Sequence, residues 1–516
     1  MGKGKLFFLF VLAILVWLLF FWLHPDYAST EDASLYAGIA RNIINKNGPY
    51  MSAITPVFFT YNIPTLSFGW PSFYNYLHPL TVAISFLILG PSHFSLVLTN
   101  AFFYVMTLPL VFLLAKKLYN TQTAFWAGVW YIFSLPILNS SISGMTEPLF
   151  SFLVTLVFFL LFVFPKHFFW VGLTVALAYL TRFQGILLIP PLLIYIATLK
   201  KKFLYGLLFL SGFASIIFLS KLFLPLMAQD YARFDNNYLW YAMAADALRP
   251  SSEIFGTLSV VTFSDILTNF NLILFKALTN LYFFTQKLFA VLPAPIVIFY
   301  ALSFFQFRSL KKNRTFKFLS LNLILVFLVF HLFVLFDLRF FFPLLPLLTV
   351  AAAATFLSLL EKLNPKRILF GASLFTAFFI VIPTFASSGT ATALQRTLAK
   401  PRRPTIVYLL ARLAKENTSS KAIIVSDRAA HLSWYGERRT IFLPPNPAYL
   451  SELEKKVPID ALFFSNYFPE HYPAWQDLVE NPHDFGDFTF VKSFEIKPEE
   501  NYYRIPIKAV LYFKKR

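Results

Sequence analysis

The chain has 516 residues, of which 58% are hydrophobic and 66 are Phe; its apolar runs reach the roughly 17–25 residues an α-helix needs to cross a bilayer, which excludes a soluble globular protein. Net charge is +19, from 44 Lys+Arg against 25 Asp+Glu, but the excess lies in short clusters between apolar runs, as in cytoplasmic loops, and not in a patch suited to nucleic acid. With no Cys there is no disulfide and no thiolate nucleophile or metal ligand.

Basic clusters at Lys3 and Lys5, Lys116 and Lys117, Lys166, Lys200 to Lys202, Arg308 to Lys317, and Lys362 to Arg367 fall at every second connection. Taken as cytoplasmic, they predict spans near 6–23, 93–115, 123–139, 148–165, 168–181, 183–199, 203–224, 287–306, 318–336, 340–360 and 368–384, about eleven in all. The expected fold is an α-helical polytopic membrane protein over residues 1–386 with a soluble, extracytoplasmic α/β domain over 387–516. The N-terminus is then cytoplasmic, in a cell (plasma or inner) membrane, and the first helix is an anchor because it is long enough to span and lacks a small-residue cleavage site. The alternate connections carry nearly all the acids of the membrane portion, from Asp26, Glu31 and Asp32 through Glu147 to Asp337, which places the chemistry outside the cytoplasm.

Two long outer loops stand out, 24–92 and 225–286. The first opens on Ser29-Thr-Glu-Asp-Ala-Ser-Leu-Tyr36, where helical spacing puts Asp32, Tyr36 and Ala40 on one face of an amphipathic helix. Acids at membrane depth are costly unless they face a cavity or a partner, so Asp32 and its neighbour Glu31 are candidate site residues. The structural alternative is a helix cap, since Ser29 and Asp32 are spaced as in a capping box and first-turn acids favour the helix dipole. After a Pro- and aromatic-rich stretch from Tyr61 to Tyr76, the run from His78 to Leu89 is too short to span and reads as an interfacial or re-entrant helix. His78 is the one histidine near the presumed site. In the second loop, Asp230 to Tyr241 alternates aromatic and polar residues, which suits either stacking on sugars or an aromatic belt at the interface.

Glu147 opens a later span just before Pro148, a first-turn position for proline, and is the second acid at the same rim. Arg182 in Thr181-Arg-Phe-Gln-Gly185 and Arg339 in Asp337-Leu-Arg-Phe-Phe-Phe-Pro343 are cations in apolar surroundings, suited to phosphate or carboxylate. Snorkelling, or for Arg339 a pairing with Asp337, is the plain alternative. Lys221 is a weaker candidate of the same kind. Beyond Ser387, strands are predicted at 422–426, 440–443, 461–465, 488–494 and 507–513, with helices at 405–415, 449–456 and 473–479. No Gly-rich phosphate loop is present, so no nucleotide or redox cofactor is expected.

These residues resemble the polytopic GT-C glycosyltransferases of the protein-mannosyltransferase and aminoarabinose-transferase type, which take a sugar from a polyprenyl-phosphate carrier at the outer membrane face. The resemblance rests on Asp32, Tyr36, Ala40 and Arg41, on Glu147 before Pro-Leu-Phe, on Thr181 to Gly185 and on Arg339 to Pro343, in that order over residues 6–384. It implies that Asp32 is the general base for an acceptor hydroxyl or amine, or a ligand with Glu147 to a divalent cation such as Mg or Mn. It also implies that Glu147 is a second acid across the cavity and that Arg339 stabilises the departing phosphate, with Arg182, Tyr36, Glu31, His78 and Lys221 lining the substrates. Many relatives carry Asp-Glu where this chain has Asp32-Ala33. Trp434-Tyr-Gly-x-Arg438 and Asp460-Ala-Leu-Phe-Phe-Ser465 are similar to extracytoplasmic tails of such enzymes, with acceptor contact or structural support implied.

The expected function is transfer of a sugar from a polyprenyl-phosphate donor to a lipid, protein or glycan acceptor, with inversion. A carrier-dependent glycan polymerase or ligase is the enzymatic rival; a lipid or sugar transporter or flippase is the rival from another class, disfavoured because the acids cluster at one rim and not at the midplane. The absence of a Trp-Trp-Asp segment argues against an oligosaccharyltransferase catalytic subunit.

Overall fold

A computed structural model describes residues 2–24, 30–61, 69–71, 75–223, 263–305, 311–334, 337–360, 365–386, 403–467 and 469–515. The aromatic stretch from Asp230 to Tyr241, and most of that from Tyr61 to Tyr76, lie outside the described residues. The first ten helices are α1 (Gly2–Leu23), α2 (Glu31–Ile44), α3 (Leu77–Leu89), α4 (His93–Leu118), α5 (Thr121–Ile132), α6 (Leu135–Ser141), α7 (Glu147–Val163), α8 (Phe168–Thr181), α9 (Ile189–Ala197) and α10 (Lys202–Phe223). Polar caps start several of them: the Ser92 hydroxyl accepts from Ser95 N–H at 3.1 Å ahead of α4, and Asn120 Oδ1 from Thr123 N–H at 2.8 Å ahead of α5, each satisfying an otherwise orphaned first-turn donor. Their apolar faces meet in one core that includes Leu9, Phe20, Leu108, Trp130, Val154 and Phe356. Helices α8 and α10 approach backbone to backbone, for a Cβ at Gly172 would lie 1.9 Å from Phe209 O and one at Gly212 2.0 Å from Phe169 O; small residues permit this close packing where burial of apolar surface gives no drive.

Among the described residues five helices are long and apolar enough to cross a membrane: Gly2–Leu23, His93–Leu118, Lys202–Ser220, Asn313–Phe333 and Leu338–Leu360. Several other expected spans are broken, and proline is the reason. The run at 123–139 divides into α5 and α6, whose second residue is Pro136. That at 183–199 begins as a 3₁₀ turn, Phe183–Leu188, before Pro190 and Pro191 open α9. That at 287–306 bends by 106° between Phe270–Phe289 and Ala294–Phe305, around Pro293, which has no N–H to continue the ladder. The expected interfacial helix at His78 to Leu89 is α3, a helix of 13 residues.

The C-terminal region contains strands β4 (Ile423–Ser426), β5 (Arg439–Phe442), β6 (Ala461–Ser465), β7 (Phe488–Ile496) and β8 (Ile507–Lys514); the short strands β1 (Tyr50–Met51), β2 (Ala53–Ile54) and β3 (Trp70–Pro71) precede them in the chain. The larger sheet has the order β2-β5-β4-β6-β8-β7. Strands β2, β5, β4 and β6 run parallel and β8 and β7 antiparallel. Its edge strand β2 therefore comes from the loop that follows α2, paired with β5 through Ala53 and Thr440 and through Ile54 and Ile441. Alternate residues serve opposite faces: Phe463 and Ile424 pack under the helix Ile406–Asn417, while Phe464, Val425 and Ile54 share the other core with Trp475 and Tyr512.

Two arginines fasten this region. Arg41, in the last turn of α2, donates to Trp434 O at 2.8 Å and Ser433 O at 2.7 Å, and its guanidinium lies 5.1 Å from the Trp434 ring. Arg438 donates to Lys415 O at 2.7 Å and Thr418 O at 2.8 Å, capping the helix Ile406–Asn417. The Trp434 to Arg438 segment thus supports structure, and Asp460 does likewise, accepting from Ile423 N–H at 2.8 Å.

Candidate active site

The N-cap of α2 is Thr30, whose hydroxyl accepts from Ala33 N–H at 3.3 Å. Asp32 is therefore not needed as a cap. Small residues on the buried side of α2, Ala33, Ala37 and Ala40, pack on Val82, Ala83 and Phe86 of α3 and on Trp434, while Leu35 and Ile39 pack on Ala429 and Ala430. The helix is wedged between the bundle and the C-terminal region, and this fixes the direction of its first turn.

Asp32 Oδ2 lies 3.4 Å from Arg339 Nη2, joining residues 307 apart in the chain. The side chains are 31% and 35% exposed, so the pair is reachable by a substrate. Asp337 orients Arg339: its Oδ2 lies 2.7 Å from Nε, and its Oδ1 accepts from the Arg339 N–H at 2.9 Å. Asp337 also caps the 3₁₀ turn Leu338–Leu344, so the pairing with Asp337 expected for Arg339 is present, beside the contact with Asp32.

Glu147 and Arg182 form a second, drier pair, Oε1 to Nη1 at 2.9 Å, with side chains 3% and 13% exposed. Arg182 also donates to Thr146 Oγ1. The turn ahead of Glu147 holds Gly144 at φ +77°, where a Cβ would meet Leu96 Cδ2 at 2.8 Å and Ala33 Cβ at 3.0 Å; only glycine allows α2 to pass this closely. Phe340 links the two pairs, its ring 5.1 Å from the Arg182 guanidinium and 5.4 Å from that of Arg339. Stacking on the ring holds both planes while leaving their edges as donors.

Tyr36 lies buried beneath this ring of charge, within electrostatic reach of Asp32, Arg182, Glu147 and Arg339. Burial, with the Asp32 charge, raises its phenol, which stays protonated. His78 meets it edge-on at 5.2 Å and has its Nε2 3.1 Å from Gly144 O, so Nε2 is the protonated nitrogen. Burial pushes His78 down to about 4 and keeps it neutral. Asp32, Tyr36, His78, Glu147, Arg182 and Arg339 thus form one constellation. Glu31 points to another neighbour, Arg428, described below. Lys221 lies in α10, and its side chain is outside the described residues.

The fold is that of the GT-C membrane glycosyltransferases, a bundle of apolar helices. Residues 75–224 match the family model for dolichyl-phosphate-mannose-protein mannosyltransferase, a stretch that includes His78, Glu147 and Arg182. The chain is similar to ArnT from Cupriavidus metallidurans bound to undecaprenyl phosphate, with TM-score 0.57 and 10% identity over 99% of this chain and 98% of that one. It is also similar to the archaeal oligosaccharyltransferase AglB from Archaeoglobus fulgidus in complex with an inhibitory peptide and a dolichol-phosphate, with TM-score 0.57 and 12% identity over 90% and 69%. The Archaeoglobus oligosaccharyltransferase in complex with Zn and sulfate gives TM-score 0.58 and 12% identity over 98% and 73%. Among curated proteins nothing matches.

Asp32 and Glu147 are the residues that would hold a divalent cation, and Glu147 Oε2 is buried without a hydrogen-bond partner, but an arginine stands beside each carboxylate. Its charge would repel a cation placed there. Among the described residues no three His, Asp or Glu side chains come together.

Proposed function

We propose that the chain is a membrane glycosyltransferase that moves one sugar from a polyprenyl-phosphate carrier to an acceptor hydroxyl or amine on the extracytoplasmic face, with inversion. The observation that carries this reading is the accessible pair of Asp32 and Arg339, 3.4 Å apart, at the rim of a GT-C bundle. In this reading residues 1–386 bind the donor, with outer loops 24–92 and 225–286, and residues 387–516 form an extracytoplasmic domain.

Asp32 accepts the proton of the acceptor O–H or N–H as that atom attacks the anomeric carbon. The bond from the anomeric carbon to the carrier phosphate breaks on the opposite side, and its electron pair leaves with the phosphate. A guanidinium has five N–H donors, so Arg339 pairs with Asp32 through one edge and meets the growing phosphate charge with others. Glu147 acts on this machinery through Arg182, because its carboxylate is buried away from the reacting atoms. No step runs through a metal.

The test is transfer of radiolabelled sugar from a panel of polyprenyl-phosphate monosaccharides by membranes holding the wild type, Asp32→Asn or Arg339→Ala at matched levels. Turnover by the wild type alone supports the reading. Movement of the lipid-linked sugar across vesicles with no glycosidic bond made would replace it with a transporter.

A further inference from the structure

The C-terminal region carries a second cluster of charged side chains, apart from the pair of Asp32 and Arg339. In the order β5-β4-β6 the chain runs from β4 to β5 on one side and then crosses to β6 on the other, with all three strands parallel. The carboxyl ends of β4 and β6 therefore flank a topological switch point, the place where open α/β sheets form a ligand crevice. The residues there are charged or polar and bonded to one another. Asp427 and Arg428 directly follow β4, and Ser465 ends β6. Asp427 is buried and accepts from the Ser465 hydroxyl at 2.8 Å. Its Oδ2 lies 3.5 Å from Arg428 Nε, and the Arg428 guanidinium rests 5.2 Å from the Tyr467 ring. Arg428, only 6% exposed, extends Nη1 to 3.5 Å from Glu31 Oε1.

Glu31 is the residue beside the proposed base. Neighbours on a helix diverge by about 100°, so Asp32 turns to the membrane bundle while Glu31 turns to this crevice. The Glu31 side chain is 45% exposed, so its carboxylate can be reached while it faces Arg428. Burial raises its carboxyl while Arg428 lowers it, and burial together with the Glu31 and Asp427 charges raises the Tyr472 phenol.

We infer that the switch-point crevice of the C-terminal sheet is an acceptor subsite for a neutral saccharide, whose flanking hydroxyls are held by Glu31, Arg428 and the tyrosines while one hydroxyl reaches Asp32. This rests on the proposed transferase reading and names its acceptor class. Two carboxyl groups, Glu31 and Asp427, face the single Arg428 guanidinium, which leaves no cationic excess to draw a phosphate or carboxylate there. A carboxylate and a guanidinium side by side supply the acceptors and donors that vicinal hydroxyls need, and tyrosine rings supply the apolar faces.

The test uses the full chain in nanodiscs. Binding of a panel of neutral hexose tetrasaccharides, free and lipid-linked, and of a Ser/Thr-rich peptide is followed by ligand-observed NMR without donor, for wild type, Glu31→Gln and Arg428→Lys. The expected result is saccharide binding by the wild type that weakens about tenfold in both variants, with acceptor KM rising to match and kcat held within about twofold. The free and lipid-linked arms show whether the saccharide alone suffices. No saccharide binding by the wild type, unchanged binding in Glu31→Gln, or preferential binding of the peptide would overturn the inference. Should Arg428→Lys not fold, Glu31→Gln, on a different element, decides alone. Since binding is read without donor, failure of sugar transfer would count against the transferase reading and leave the subsite tested separately.

Discussion

Asp32→Asn separates catalysis from architecture at this site. The substitution keeps the shape of the side chain and removes its capacity to accept a proton. Loss of a positioned general base costs about 10²–10⁴ in rate, or about 3–5 kcal/mol of barrier. The structural cost is far smaller. The pair with Arg339 is 3.4 Å long and a third exposed on each side, which puts its share of stability at about 1 kcal/mol or less, and Thr30, not Asp32, caps the helix. Melting should therefore fall by no more than about 4 °C while transfer falls at least about a hundredfold. Label transfer from a working donor and a thermal melt on the same preparation give the two numbers. Transfer within threefold of wild type at matched folding would refute the role of Asp32, and a large drop in melting would show that the residue is architectural.

Glu147→Gln should show the reverse emphasis, since it strands the Arg182 guanidinium in a site only 13% exposed; about 3–5 kcal/mol of stability should go, and Glu147→Gln with Arg182→Met should recover part of it in the same melt. Arg339→Lys keeps the charge but loses the fork held by Asp337 and Asp32, so kcat should fall about 10²–10³ with little change in donor KM. Arg41→Ala removes two hydrogen bonds to the backbone at Ser433 and Trp434, together worth about 3 kcal/mol or more, and limited proteolysis should cleave the C-terminal region faster. His78, held neutral at about 4 against 6.5, gives a stability that is full above the unfolded value and declines as pH falls from 6.5 toward 4, by roughly 3 kcal/mol at the lower end. Wild-type melting should thus drop from pH 7 to pH 5 more steeply than that of His78→Gln, and equal slopes would assign the acid sensitivity elsewhere.

The residues of the candidate site are legible one at a time, but of their pairings only that of Arg339 with Asp337 is. Spacing from Asp32 to Tyr36 gives a helix with both on one face, and the structure places both at the site with Ala33, Ala37 and Ala40 against α3. Glu147 and Arg182 stand out as charges among apolar residues, but nothing in their separation marks them as partners; the contact depends on how α8 ends beside α7. Strands in the C-terminal region lie within a residue or two of where the sequence puts them, because short apolar runs bounded by polar residues, as at 423–426 and 461–465, mark buried strands. Strand β2 is two residues long and leaves no periodicity to read. Arg428 leaves no local signal either: its meaning comes from the strand order, which no local pattern carries.

Strand β2 also bears on how the protein is made. Its residues, 53 and 54, leave the ribosome early, whereas their partner strand, residues 439 to 442, follows only after the whole helical bundle. During synthesis this strand must wait unpaired until its partner is made. Closure across so many intervening residues makes this pairing a late and slow event, so the first turn of α2 acquires its final surroundings only when the C-terminal region docks. A chain interrupted before residue 439 would insert its helices and still lack the second wall of the site.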